Sequence, residues 1–216
     1  MTPARPVLFD MDGTLTDSLA IITACFDRTM REEAGVVHEP AFYRRFIGPP
    51  LHDSFAELGV ADPARFVAEY RRRYAETMLD TPLFPGVREL LERLDAAGVP
   101  MVVATSKKEE AARAIVEHLD VSRHFLAVCG VVKVGGRGDK HEMVEDALAV
   151  LAERGIDPAS AVMVGDRKYD VDGAAVHGLP TVLVEWGAAP AEEYALAWRT
   201  VRTVDQLAEL LIGAAP

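Results

Sequence analysis

The 216-residue chain has two cysteines, Cys25 and Cys129, far apart in sequence. A disulfide framework is therefore excluded as its organising device, and a reducing, cytoplasmic compartment is the expected one. No apolar run approaches the roughly 18 residues that a membrane helix needs. The first residues carry one Arg and then acids, which is not the pattern of a signal peptide. Positive charge is scarce too: 23 Lys and Arg face 34 Asp and Glu, for a net charge of −11. That balance argues against nucleic acid or an anionic membrane as partner. It leaves an anionic small molecule open, because a local cluster of cations or a bound divalent ion can invert the bulk sign.

What remains is the composition of a globular domain, with 50% hydrophobic and 26% charged residues. Residues 5–10, RPVLFD, read as a short buried strand ending in an acid. From about 17 to 80 no comparable strand follows. Helical patterns broken by Gly and Pro take its place, with Phe66, Tyr70, Tyr74 and Met78 forming one apolar stripe. Asp17 and Ser18 are expected to cap the first of these helices, and the run EYRRRYAE reads as a solvated helix face.

After residue 80 the rhythm changes. A helix with Val87, Leu90, Leu91 and Leu94 on one face is closed by Gly98, and VPMVVATS follows as a strand. Next come a helix over about 107–118, strand FLAVCG, a helix over about 139–154, strand AVMVGD, helix DVDGAAVHG and strand PTVLVEW. A last helix carries Thr203 and Gln206 at capping-box spacing. Alternation of this kind implies an α/β, Rossmann-like, three-layer core with a parallel sheet, interrupted after its first strand by a small all-helical insertion. The expected boundaries are 1–16 and 81–216 for the core and 17–80 for the helical cap. In such sheets ligands collect beyond the carboxyl ends of the strands. Those ends carry Asp10, Thr105 and Ser106, Gly130, and Gly165 with Asp166.

Two acids one residue apart, Asp10 and Asp12, repel each other where a strand ends, so something must compensate them. The segment around them, DMDGT at 10–14, resembles the first motif of haloacid dehalogenase-like (HAD) phosphohydrolases. ATSK at 104–107 is similar to the second motif of that superfamily, Lys140 in GDKHEM to the third, and GDRKYD at 165–170 to the fourth. All four stand in order along nearly the whole chain. FIGPPL and the helical insertion resemble the phosphoglycolate-phosphatase-like subgroup, whose helical cap follows the first motif.

The resemblance implies a Mg²⁺-dependent phosphatase acting on a small phosphate monoester. Asp10 is then the nucleophile that forms an acyl phosphate, and Asp12 the general acid and base, its carboxyl kept protonated by a closed, partly desolvated site. The Asp10 carboxylate, the Asp12 main-chain carbonyl and Asp166 are the implied metal ligands, with Asp170 orienting groups beside the ion. Thr105, Ser106 and the main-chain N–H groups of Met11 and Asp12 are the implied phosphate-binding groups, and Lys140 neutralises both phosphate and Asp10.

Each assignment has a plainer competitor. Thr105 could cap the helix starting near Lys107, Asp170 could cap or pair locally, and Lys133 or Arg137 could stand in for Lys140. Asp12 argues against a dehalogenase, whose halide leaving group needs no proton. The absence of His in LAIITACF argues against a phosphomutase, and the absence of Lys from 17–80 against an imine-forming phosphonatase. A receiver-like phospho-acceptor is the non-enzymatic alternative. Nucleotides and sugar phosphates compete with phosphoglycolate as substrate, with Phe42, Tyr43 or Phe46 as the rings that could stack on a base.

Overall fold

A computed structural model of the chain describes residues 4–132, 138–187 and 189–213. Six parallel strands form one sheet: β1 (Val7–Phe9), β2 (Met101–Lys108), β3 (Val128–Val131), β4 (Val162–Gly165), β5 (Thr181–Val184) and β6 (Arg199–Val201). Their order is β3-β2-β1-β4-β5-β6, with β1 hydrogen-bonded to both β2 and β4. The chain steps outward one way from β1 and then the other way from β4. The strand order therefore reverses between β1 and β4, and that is where a ligand crevice opens in sheets of this kind.

Period-two alternation explains why so short a strand is stable. Val7 and Phe9 face a core built with Leu90, Leu91 and Leu94 of α4 (Val87–Ala96), Val116 of α5 (Glu109–His118) and Leu207 of α8 (Val204–Gly213). Leu8 faces the other layer, with Val144 and Leu151 of α6 (Lys140–Glu153) and Ala174 of α7 (Lys168–Ala175). All three β1 residues are wholly buried, as strands covered on both faces require.

Between β1 and α4 lie α1 (Leu19–Ala34), α2 (Leu51–Glu57) and α3 (Pro63–Thr77), with 3-10 turns at Pro40–Phe46 and Met78–Asp80. They enclose a separate apolar cluster centred on Phe26. Its ring lies 4.8 Å from Tyr70, 5.2 Å from Phe55 and 5.9 Å from both Tyr43 and Phe46. The two chain crossings that join this helical unit to the sheet pair with each other: Asp17 N–H donates to Pro82 and Phe84 N–H to Leu15, at 2.9 and 3.0 Å.

The structure departs from the sequence reading at four places. The helix expected from 107 begins at Glu109, because β2 stays extended through Lys108. Ser18 occupies the first cap position but makes no side-chain cap bond. Arg73, expected on a solvated face, is buried against Glu32, Glu33 and Glu69. Strand β6 was not anticipated; its RTV has two exposed residues of three, so neither alternation nor an apolar run announces it.

Phe26 is fully buried among four rings, so Phe26→Ala is expected to cost about 3–5 kcal/mol. At roughly 2–4 °C per kcal/mol for a chain of this size, a thermal melt should fall by about 10 °C. An unchanged melt would show that the ring cluster does not hold the insertion together.

Candidate active site

Asp10 follows β1, and its N–H donates to the Val164 carbonyl of β4 at 2.8 Å, which sets the carboxylate at the strand-order reversal. The chain then curls around the Met11 carbonyl, which accepts from the N–H groups of Thr14, Leu15 and Thr16 at 3.3, 3.0 and 2.9 Å. The Thr16 hydroxyl adds a fourth bond at 3.1 Å. Gly13 enters this curl with φ +86°, and a Cβ there would stand 2.3 Å from Asp166 Oδ2. A Cβ on Gly187 would meet Asp166 from another side, at 2.3 Å. Only glycine lets backbone wrap this wholly buried carboxylate so closely.

Lys140 opens α6, where the Asp139 N–H donates to Glu142 at 3.1 Å and seats the helix start. Its ammonium lies 2.6 Å from Asp10 Oδ1, 3.0 Å from the Ala104 carbonyl and 2.8 Å from Asp170 Oδ1. Burial works against that charge, but Asp10 and Asp170 outweigh it and hold the Lys140 pKa above its ordinary value. The rival cations Lys133 and Arg137 lie outside the described residues. Burial acts first on Asp10 and pushes its pKa up to about 6, with Lys140 opposing and Asp170 and Asp12 adding to the rise.

Asp166 ends β4, and Asp170 lies in the first turn of α7. Asp170 Oδ2 accepts from the N–H groups of Asp166 and Arg167 at 3.1 and 3.0 Å, so Asp170 does make the local cap that competed with a metal-side role. It also remains in the acidic group. Asp10, Asp166 and Asp170 each present a carboxylate oxygen, all within 4.8 Å of one another. Three such oxygens fit a hard divalent cation, which Asp10, Asp166 and Asp170 would hold.

The remaining residues surround these acids. Thr105 is buried and its hydroxyl accepts from Lys107 N–H at 3.2 Å, a turn within the strand rather than a helix cap. Met11 packs its side chain into the core. Ser106 shares a cavity of about 240 Å³ with Lys140, Tyr169 and, from the helical unit, Gly48 and Pro50. Tyr43 and Phe46 are buried in the cap core, while Phe42 stacks on His38 at 4.0 Å, so none is poised to receive a base. Cys25 and Cys129 are free and buried, and burial raises both thiols, Cys129 to about 11.

Two contacts of this region escape motif reading. Lys107 Nζ lies 2.9 Å from Asp12 Oδ2, so the Asp12 side chain faces an ammonium where the sequence reading expects only desolvation. Arg167 pairs with Glu193 at 3.0 and 3.1 Å and also donates to the Ile47 carbonyl of the helical unit. Glu193 comes from a 3-10 turn with no motif of its own, and it further accepts from Lys168 N–H at 2.7 Å.

The family model described as haloacid dehalogenase-like hydrolase matches residues 7–184. The chain belongs to that family. It is 39% identical over 95% of its length to the Mycobacterium tuberculosis tyrosine-protein kinase PtkA, covering 72% of that protein. A 5'-nucleotidase of Pseudomonas aeruginosa is 36% identical, with 87% of this chain and 85% of the relative covered. A phosphoglycolate phosphatase of Aquifex aeolicus is 29% identical, with 85% of each covered. The crystal structure of a predicted phosphatase from Clostridium acetobutylicum superposes with TM-score 0.89 at 32% identity, over 98% of this chain and all of that one. The enzyme is a HAD-family phosphatase with a six-stranded α/β core.

Two outcomes follow from these charges. Because the folded value of about 6 for Asp10 lies above its ordinary 3.8, the folded chain binds that proton more tightly than the unfolded one. Asp10 then costs nothing below about pH 4 and destabilises the fold progressively as the pH rises through 6. In EDTA, Asp10→Asn should therefore melt above the wild type at pH 8 and level with it at pH 4. Equal melts at pH 8 would refute the destabilised carboxylate. Glu193→Ala strands the buried Arg167 and should cost about 3–5 kcal/mol in a denaturant titration, against less than about 1 kcal/mol if the pair is merely superficial.

Proposed function

We propose that the protein is a Mg²⁺-dependent phosphatase of small cytoplasmic phosphate monoesters, with residues 1–16 and 81–216 as catalytic core and 17–80 as cap. The observation that carries this reading is the Asp10 carboxylate, 2.6 Å from Lys140 at the strand-order reversal and beside Asp166. Asp10 attacks phosphorus while the ester oxygen leaves with a proton from Asp12. The product is a phosphoaspartyl group on Asp10. Asp12 then takes a proton from water as that water attacks the same phosphorus, which frees Asp10 and releases phosphate.

Thr105, Ser106, Lys140 and the main-chain N–H groups of Met11 and Asp12 bind the phosphoryl oxygens as charge builds. Asp170 holds Lys140 and the Asp166 loop in register. A bound Mg²⁺ would supply charge neutralisation between the acid nucleophile and its anionic substrate.

Phosphoglycolate is the favoured substrate class, on the resemblance of the motifs and of the phosphatase relatives; a nucleotide or sugar phosphate is the alternative. Nucleotides rank lower here, since the cap rings that could stack on a base are occupied. Transfer to a tyrosine hydroxyl is a second reading, motivated by the 39% identity to PtkA. It shares the first half of the reaction and differs in which hydroxyl attacks the phosphoaspartyl group. A receiver-like acceptor ranks last, because it would not place a second acid two residues from its phospho-accepting one.

A panel of monoesters assayed for phosphate release with Mg²⁺ ranks substrates by kcat/KM, and adding tyrosine peptides shows whether phosphate is diverted to them. EDTA should abolish release, and Asp10→Asn should lower kcat by at least about 10⁴-fold with the fold intact. Release that persists undiminished in the Asp10→Asn variant would overturn the covalent mechanism.

A further inference from the structure

Lys107 is the one cation that touches the proposed proton carrier in the described structure, and it does not act alone. Its ammonium, buried at 8% side-chain exposure, sits 2.9 Å from Asp12 Oδ2 and donates to the Tyr74 hydroxyl at 2.6 Å. It also lies 4.2 Å from the centre of the Tyr74 ring. Asp12 belongs to the turn after β1 and Lys107 to the end of β2, but Tyr74 is carried by α3 of the cap. This contact therefore crosses from the cap to the group that handles the proton.

We propose that Tyr74 is a positioning residue for Asp12, acting through Lys107. The assignment rests on the phosphatase reading and adds to it a link between cap placement and proton transfer. A lysine stem has four rotatable bonds, so an ion pair with a partly exposed carboxylate fixes neither group by itself. A second acceptor on the opposite side removes that freedom, and the Tyr74 hydroxyl is that acceptor. Tyr74 is itself rigid: it is buried, and its ring stacks on Tyr70 at 5.9 Å and 6°. With Oδ2 held by Lys107, Asp12 Oδ1 is left buried without a hydrogen-bond partner among the described residues. That oxygen is then the one presented for the leaving-group proton. When α3 is docked, Asp12 is aimed; when the cap moves off, Lys107 loses its second anchor and Asp12 its aim.

Tyr74→Phe removes the hydroxyl and keeps both the stacked ring and the face beneath the ammonium. Its effect is read on two esters: an alkyl phosphate, whose alkoxide leaves only with a proton, and p-nitrophenyl phosphate, whose phenolate leaves without one. The expected result is a fall in kcat of about tenfold for the alkyl ester with KM within twofold, and a fall below twofold for the aryl ester. Asp12→Asn should show the same ordering with a larger gap. Equal losses on both esters, or none on either, would overturn the assignment while the phosphatase reading stands. A wild-type enzyme inactive on both esters would overturn that reading and this assignment together.

Discussion

A single buried ammonium, that of Lys140, is what allows two carboxylates to share the strand-order reversal. Asp10 and Asp170 both touch it, at 2.6 and 2.8 Å, and Asp166 stands beside them wholly buried. Desolvation of three acids in so small a volume would otherwise drive protons onto them. The compensation is incomplete: Asp10 still binds its proton up to about pH 6. Three clustered carboxylates with one ammonium leave negative charge uncompensated, and the proposed divalent ion would supply the balance.

The site's geometry in turn depends on backbone that can approach a buried acid. The Met11 carbonyl gathers three N–H groups and a hydroxyl, and Gly13 and Gly187 leave no side chain where Asp166 lies. The DMDGT segment is thus read twice by physics. Its acids are the groups proposed to react, and its glycine is the clearance that lets the neighbouring acid be enclosed.

Much of this could be read from residue order. The apolar strands, the stripe Val87, Leu90, Leu91 and Leu94, and the acids at strand ends are local patterns, and the parallel sheet follows from their alternation. At the Thr203–Gln206 cap the sequence placed the helix start correctly, although Gln206 accepts from Arg202 rather than from Thr203. What stayed hidden is non-local or unpatterned. Glu193 lies 26 positions from Arg167, and no spacing rule connects them. Arg73 looks like its neighbours Arg71 and Arg72 until three glutamates from two helices close over it. Lys107 sits inside a recognised motif, but its partners Asp12 and Tyr74 come from a turn and a cap helix that only folding brings together.

Arg73 closes within the helical unit, but the other two cations, Arg167 and Lys107, tie that unit to the core. Arg167 reaches the Ile47 carbonyl beside Gly48, while Lys107 reaches Tyr74 on α3. Both cations are anchored on the core by an acid, Glu193 in one case and Asp12 in the other. The Glu193 anchor is buried, and through Arg167 it reaches the Ile47 carbonyl of the helical unit. The Asp12 anchor is the proposed proton carrier, so in that reading anything that loosens Lys107 also loosens Asp12. In a chain of net charge −11, these two enclosed cations are each fixed by an acid of the core, and each also reaches a residue of the helical unit.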